Sequence, residues 1–396
     1  MSRIKVCPDD FIVEEITHEP LNETGAYGIF ILSKKGWNTV DAIYKLAKTF
    51  NLSLKDIHYG GRKDRHAHTV QTITIKNAFS LSHTEENLSL EYRGRMDRPM
   101  GPDLILSNRF QVTVRDLTST EVKTAIDNIQ TVQRLGFSNY FDDQRFGSFD
   151  PVQGFLAEKI LKGHYNGALK IYLTRMQEGE SREKKSFFFR EWGNWCACLK
   201  EAGTDWEKEY FLFLVRHPKA YLPLLQKIPG EEMASFFSAY QGFLWNEILR
   251  QIIRSSGGEE SYPGCCGDYH FLSRSDVESF SYLKNLKIPL PSSKAQMPDE
   301  RSTMIYEGIL NERKIRPSLF NLRKIRQAYF KSIDRNALVV PESLSWGEEA
   351  DEIYPMKKKI RLGFILPRGS YATMFIKSLF PEKLSTNFSE VRNNHE

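Results

Sequence analysis

"YGGRKDRHAHTVQ", residues 59–71, crowds two glycines, three cations, two histidines and one carboxylate ahead of a strand-like run. The carboxylate is Asp64, set between Lys63 and Arg65. Gly60 and Gly61 let the chain turn sharply before it. Behind it "TVQTITIK" (69–76) reads as a strand, with Gln71, Ile73 and Ile75 on one face. Composition alone makes such a stretch a solvated charged turn, whose cations favour the ionised carboxylate. A P-loop is excluded, because its glycine spacing and Lys-Ser/Thr end are absent. His66 and His68 can share a strand face, but two imidazoles are too few for a metal site, so no metal is expected.

Outward from this stretch, strand and helix signals alternate. "FIVEEI" (11–16) puts Phe11, Val13 and Glu15 on one face, and "YGIFILSKK" (27–35) is a β-branched and aromatic run. "NTVDAIYKLAKTFN" (38–51) changes period: Val40, Ile43, Tyr44 and Ala47 form a helical stripe behind an Asn38 or Thr39 cap. "RFQVTVRDL" (109–117) alternates again, and 118–135 reads as a helix with Val122, Ala125, Ile126 and Ile129 on one side. Residues 155–255 turn helical, with "QEGESREKKS" (177–186) as a charged exposed loop. After 335 strand signals return in "NALVVP", "KKIRLGFILP" and "GSYATMFIK". Mixed ends around a helical middle predict one discontinuous domain, 1–155 with 335–396, interrupted by an insertion at 156–334.

The 396-residue chain carries a net charge of +5, 40% hydrophobic and 27% charged residues. That composition supports buried cores and argues against disorder. A mild positive charge is compatible with a polyanionic partner. Five cysteines without paired C-x-x-C spacing read as free thiols of a reducing compartment. No signal-peptide h-region and no 18-residue apolar run occur, so a cytoplasmic protein without a membrane span is expected.

Three distant stretches change the reading of Asp64. "GGRKDRHAHTVQ" (60–71), "NYFDDQRFG" (139–147) and "FILPRGSYAT" (364–373) resemble, in order, three motifs of the TruD family of tRNA pseudouridine synthases. "PDDFIVEEI", "KKGWNTVDAI" and "SNRFQVTVRDL" add shorter matches, so the resemblance spans nearly the whole chain. It implies an α+β fold: a catalytic core on a mainly antiparallel mixed sheet flanked by helices, with an inserted α/β domain. It implies isomerisation of a uridine in tRNA, most often uridine 13 in the D arm, without a cofactor. The compact length favours the bacterial type, and a monomer is expected.

The resemblance also assigns roles. Asp64 falls on the catalytic aspartate, with Lys63 as its charge partner. The target base must leave its stack to be reached. Phe11, Asn139 and Tyr371 match positions that contact the flipped nucleotide, Phe141 is an aromatic able to pack on the base, and Lys5 matches a recurring lysine that can hold phosphate. The chain departs from the family where Asp142 replaces a glycine and Ser138 a proline. Beside a phosphate, Asp142 and Asp143 would repel. "SAYQGFLWNEILR" (238–250) resembles a helix of the inserted domain. That domain is expected to form a basic tRNA cleft with the core, with Lys184, Lys185, Lys357, Lys358 and Lys359 as rim candidates.

Overall fold

Alternation along the first third of the chain becomes strands, and their pairing sets up the site. The computed structural model describes residues 3–176, 181–273 and 277–381. Strands β1 (Phe11–Thr17), β2 (Tyr27–Lys35), β3 (Ile57–Tyr59), β4 (His68–Lys76), β5 (His83–Glu85), β6 (Leu88–Met96), β7 (Ile105–Leu117), β8 (Glu342–Ala350) and β9 (Lys358–Pro367) form one sheet. Its order is β8-β9-β7-β1-β4-β2-β6-β5, with β3 added to β4. The β1–β4 pair is parallel and the other pairs are antiparallel. The mainly antiparallel mixed sheet flanked by helices is therefore present, and its strands come from 11–117 and 342–367.

Register places the site residues on one face. Phe11, Val13 and Glu15 of β1 lie opposite Val112, Phe110 and Asn108 of β7. Those three in turn lie opposite Leu362, Phe364 and Leu366 of β9. Because side chains alternate, all nine share a face. Helices α1 (Thr39–Phe50), α2 (Ser119–Leu135) and α4 (Ala372–Leu379) flank the sheet, and α3 (Gly230–Arg254) is the long helix of the middle region, packed on the helices Leu156–Leu161 and Glu300–Glu312. Phe375 of α4 meets Phe364 with ring centroids 4.6 Å apart, which closes part of that face. One apolar core then runs from Phe11 through the helices of the middle region to Phe380.

Three local expectations change. The buried stripe of α1 is Ala42, Ile43, Leu46 and Ala47, capped by Asn38, while Tyr44 is exposed. "GSYATMFIK" is a turn followed by α4, not a strand. All eight residues of α4 are buried, so no polar face reveals the helical period. In the predicted charged loop, residues 177–180 lie outside the described residues, whereas Arg182–Arg190 is a helix capped by Ser181. Lys185 is buried there with its ammonium 3.2 Å from buried Glu207.

Candidate active site

The loop bearing Asp64 is held from beneath by polar groups of three elements. Lys34 of β2 is fully buried. Its ammonium donates to the carbonyls of Trp37 at 2.7 Å, Asp64 at 2.9 Å and Lys63 at 3.4 Å. Thr39, at the start of α1, accepts from the Lys63 amide at 2.9 Å and donates to Gln71 at 3.1 Å. Gln71 donates to the Gly61 carbonyl at 3.2 Å. Burial pushes the Lys34 ammonium down to about 8, opposed by the nearby Asp64 charge. Neither Gly60 nor Gly61 has a positive φ, so turning freedom does not explain the pair. Gly60 is needed for space, since a Cβ there would lie 2.5 Å from the Ile105 side chain.

The flanking cations point away from Asp64, contrary to the expected pairing with Lys63. The Lys63 ammonium lies 2.7 Å from Glu15 and donates to Asn108 at 2.9 Å. Glu15 sits on the apolar face of β1 beside Phe11 and Val13, where burial pushes its carboxyl up. A buried carboxylate leaves an adjacent lysine little alternative. Arg65 donates to the Gly36 carbonyl at 3.4 Å and, among the described residues, pairs with no carboxylate.

Lys5 is the partner of Asp64. Its ammonium binds Oδ2, while the His66 amide donates to Oδ1 at 2.9 Å. Burial pushes the Asp64 carboxyl up, but the Lys5 charge and hydrogen bond and the His66 amide outweigh it and hold the group below its ordinary value. Asp64 keeps 32% of its side-chain surface exposed. Lys5 adopts φ +60, a left-handed conformation that costs a non-glycine residue free energy and turns up at functional sites. Its ammonium also lies 4.4 Å from the Phe11 ring centroid, which joins Phe11 to the same cluster. His68 faces elsewhere, 3.1 Å from Ser33 and 3.3 Å from Asp9.

Asn139, Phe141 and Tyr371 meet around a residue the sequence did not single out, Arg335. Its guanidinium lies 4.2 Å from the Phe141 ring, 5.1 Å from Trp245 and 5.8 Å from Tyr371. It donates to the Asn139 side chain at 2.8 Å and to the carbonyls of Asn139 and Tyr140 at 2.6 and 3.2 Å. It also donates to the carbonyl of Gly369, in the turn before Tyr371. Among the described residues no carboxylate pairs with it. Burial lowers it to about 10, so it remains a cation at neutral pH. The Asn139 amide is spent within the protein: Nδ2 donates to Asn336 at 2.9 Å and Oδ1 accepts from Arg335. Phe141 is fixed by Asn246 of α3, which bonds its amide at 2.9 Å and its carbonyl at 2.8 Å. Gly242 on the same helix leaves room for the Phe141 ring. Among the described residues no hydrogen bond or ion pair joins this cluster to Asp64.

Asp142 does not face outward as a barrier to phosphate. Its φ is −77°, an ordinary extended conformation. Lys377 of α4 bonds Asp142 and Asp143 at 2.6 Å each, and Tyr269 donates to Asp143 at 2.7 Å. Burial opposes charging of both Asp143 and Lys377, yet the opposite charges keep Asp143 low and Lys377 high. The expected basic rim is likewise neutralised. Lys184 and Lys185 share Glu207, Lys357 faces Asp116, Lys358 binds Glu348, and Lys359 binds Glu349 and Glu352.

Of the residues missed, Glu15 and Gln71 had a signal: each is a polar group on an otherwise apolar strand face. Lys34 stood beside Lys35 as an apparent charged strand end. Arg335 had no local signal.

Among known proteins, the family model described as tRNA pseudouridine synthase D (TruD) matches residues 1–379. "Probable tRNA pseudouridine synthase D 1" of Methanococcus maripaludis is 33% identical over 384 residues, covering 94% of this chain and 97% of that protein. A tRNA pseudouridine synthase D of Leptospira interrogans is 31% identical, covering 95% of each chain. An archaeal and a bacterial relative thus match over nearly their full lengths, and compactness does not separate the two types. The crystal structure of a provisional tRNA pseudouridine synthase D from Methanosarcina mazei shares the fold, with a TM-score of 0.73 at 24% identity over 96% of this chain and 93% of that one. Among the described residues, no helix is long and apolar enough to cross a membrane.

Proposed function

The chain belongs to the tRNA pseudouridine synthase D family, and on that premise we propose that Asp64 converts a uridine of tRNA, at position 13 of the D arm, to pseudouridine. The reaction breaks the bond between ribose C1′ and ring N1 and joins C1′ to ring C5. The C5 proton is lost and N1 gains one, so the product is an isomer and no oxidant or hydrolytic water is consumed. The Asp64 carboxylate acts on the extruded nucleotide as the anion, whether it attacks carbon or removes a sugar proton. Lys5 keeps it ionised, and Lys34, Thr39 and Gln71 fix the loop that carries it.

Phe11 backs the Lys5 ammonium that binds Asp64, and as a buried ring it lends the base apolar backing once the nucleotide enters; Lys63 fixes the buried Glu15 beneath the loop. Arg335 supplies the second half of the site. Among the described residues it is a cation without a carboxylate partner, beside the rings of Phe141 and Tyr371, and it suits a phosphate or the carbonyl edge of uracil. Asn139 positions that guanidinium. In this reading 1–155 with 335–396 form the catalytic domain, and 156–334 is the inserted domain that helps hold the RNA. Work on tRNA suits a cytoplasmic enzyme.

The observation that carries the proposal is a partly exposed, ionised carboxylate on a loop bolted down by a buried lysine. Pseudouridine mapping of unmodified tRNA, incubated with wild type and Asp64→Asn, tests it. Conversion at one D-arm uridine by wild type alone is expected. Equal conversion by the variant would sink the mechanism, and tRNA binding without conversion by wild type would make the chain a non-catalytic RNA binder.

A further inference from the structure

Arg313 to Lys331 contains seven cations and no acidic residue. Only Arg313 among them reaches a carboxylate, Glu158 at 3.8 Å. Lys314, Arg316, Arg323, Lys324, Arg326 and Lys331 are exposed, and among the described residues none forms an ion pair. This contrasts with the predicted rim lysines, each of which faces a carboxylate. Exposed charge of one sign with no internal partner is a field looking outward, and a polyanion is its natural complement.

The same stretch folds around a cleft of about 340 Å³, lined by residues 292–294, 320–322, 328–330 and 332. Its lining is amphipathic. Phe320 and Phe330 are buried beneath it, with Phe330 stacked on Phe237 at 4.6 Å. Tyr329 is 70% exposed, and Ser292, Ser293, Asn321 and Ser332 supply polar groups. Lys294 lines the cleft directly, while Arg323 and Lys331 follow or interrupt its lining segments. The walls are fixed in advance. Gln241 of α3 is buried and donates to the carbonyls of Pro291 at 2.8 Å and Lys331 at 2.9 Å, tying both sides to one amide. An aromatic ring, apolar backing, hydroxyls and surrounding cations are what an unstacked nucleotide requires.

We propose that this cleft holds one unstacked nucleotide of the tRNA, distinct from the target uridine, with Lys294, Arg323 and Lys331 on its phosphates and Tyr329 on its base. The placement rests on the tRNA reading above. Five residues of chain lie between Tyr329 and Arg335, a span of six steps and at most roughly 20 Å when extended. The cleft and the Arg335 cluster therefore lie along one short track, compatible with a single RNA strand passing both. Such a contact selects for folded tRNA and lets the enzyme hold its substrate while the target base is out of its stack.

Equilibrium binding of an unmodified tRNA transcript across a range of salt tests this. Tyr329→Ala is expected to weaken binding about 5- to 100-fold, the range for loss of one stacked base. Arg323→Ser with Lys331→Ser is expected to lower the slope of log affinity against log salt by about one per cation removed. All three side chains are exposed, and circular dichroism checks that the fold is kept. In turnover the loss should appear in KM. If the cleft variants bind tRNA like wild type while wild type still converts uridine, the cleft proposal falls and the enzymatic reading stands. If wild type converts no uridine, yet the cleft variants lose tRNA affinity, the enzymatic reading falls and the cleft remains an RNA site. Weakened binding of polyglutamate with unchanged tRNA affinity would assign the surface to an acidic protein and overturn the proposal.

Discussion

Two lysine–carboxylate contacts in this protein use the same chemistry to opposite ends. At Asp64, one lysine meets one carboxylate, and the side chains keep 18% and 32% of their surface exposed. At Asp142 and Asp143, one lysine meets two carboxylates, with Lys377 only 2%, Asp142 4% and Asp143 25% exposed. The first is an ion pair that leaves an anion within reach of a substrate. The second is closed: Lys377 is buried against Tyr262 and Tyr269, and Asp143 is further tied to Tyr269 and Cys265. Burying charge costs free energy that only complete pairing offsets. A fully paired knot therefore holds structure, and a partly open pair can do chemistry.

The largest effect should separate the two by activity. Asp64→Asn is expected to lower uridine conversion at least about 10³-fold. Its denaturant midpoint should move little, because the pair is part-exposed. Mapped pseudouridine in tRNA and a urea titration on one preparation read both. Next comes the reverse pattern. Lys377→Met strands the buried Asp142 and takes the cation from part-buried Asp143, and should cost about 3–5 kcal/mol of stability, read as a lower urea midpoint at unchanged slope. A Lys377→Met protein as stable as wild type would break the comparison.

Lys34→Met sharpens it from beneath. The carbonyls of Trp37, Lys63 and Asp64 lose their donor, which should cost about 1–3 kcal/mol. Displacing the loop should lower kcat on the order of 10²-fold. The smallest effect is a shift of profile. With Lys5 present, Asp64 is held below the ordinary carboxylate range. Its contribution to stability is complete above that range and is lost as pH falls through the depressed value. Lys5→Met leaves burial in charge, so the acid limb of the rate profile should move to higher pH. An unmoved limb would show that Lys5 does not set the charge of Asp64.

Much of the fold was legible because alternation and helical period are local. The stretches 11–16, 69–76 and 109–117 fall inside the observed strands Phe11–Thr17, His68–Lys76 and Ile105–Leu117, and α1 and α2 stand where their patterns put them. The failures share a cause. α4 is buried on every side, so it carries no amphipathic signature and reads as a strand. Lys185 looks like a surface lysine because nothing nearby in sequence discloses Glu207, 22 positions away. The candidate site divides in the same way.

The sequence by itself singled out Asp64 as the candidate, and through three ordered motifs it pointed to the family that the comparisons bear out. It could not say which cation faces that carboxylate. Lys63 is adjacent in the chain, yet Glu15, far away on β1, captures it, and Lys5 arrives from the N-terminal segment instead. Arg335 and the cleft beside Tyr329 likewise exist only once distant segments meet. Sequence patterns report what a residue requires of its immediate neighbours. The pairings of Lys5 with Asp64, Lys63 with Glu15 and Lys377 with Asp142 join groups tens to hundreds of positions apart, so only the tertiary structure decided which carboxylate stays open and which cations have no carboxylate partner among the described residues.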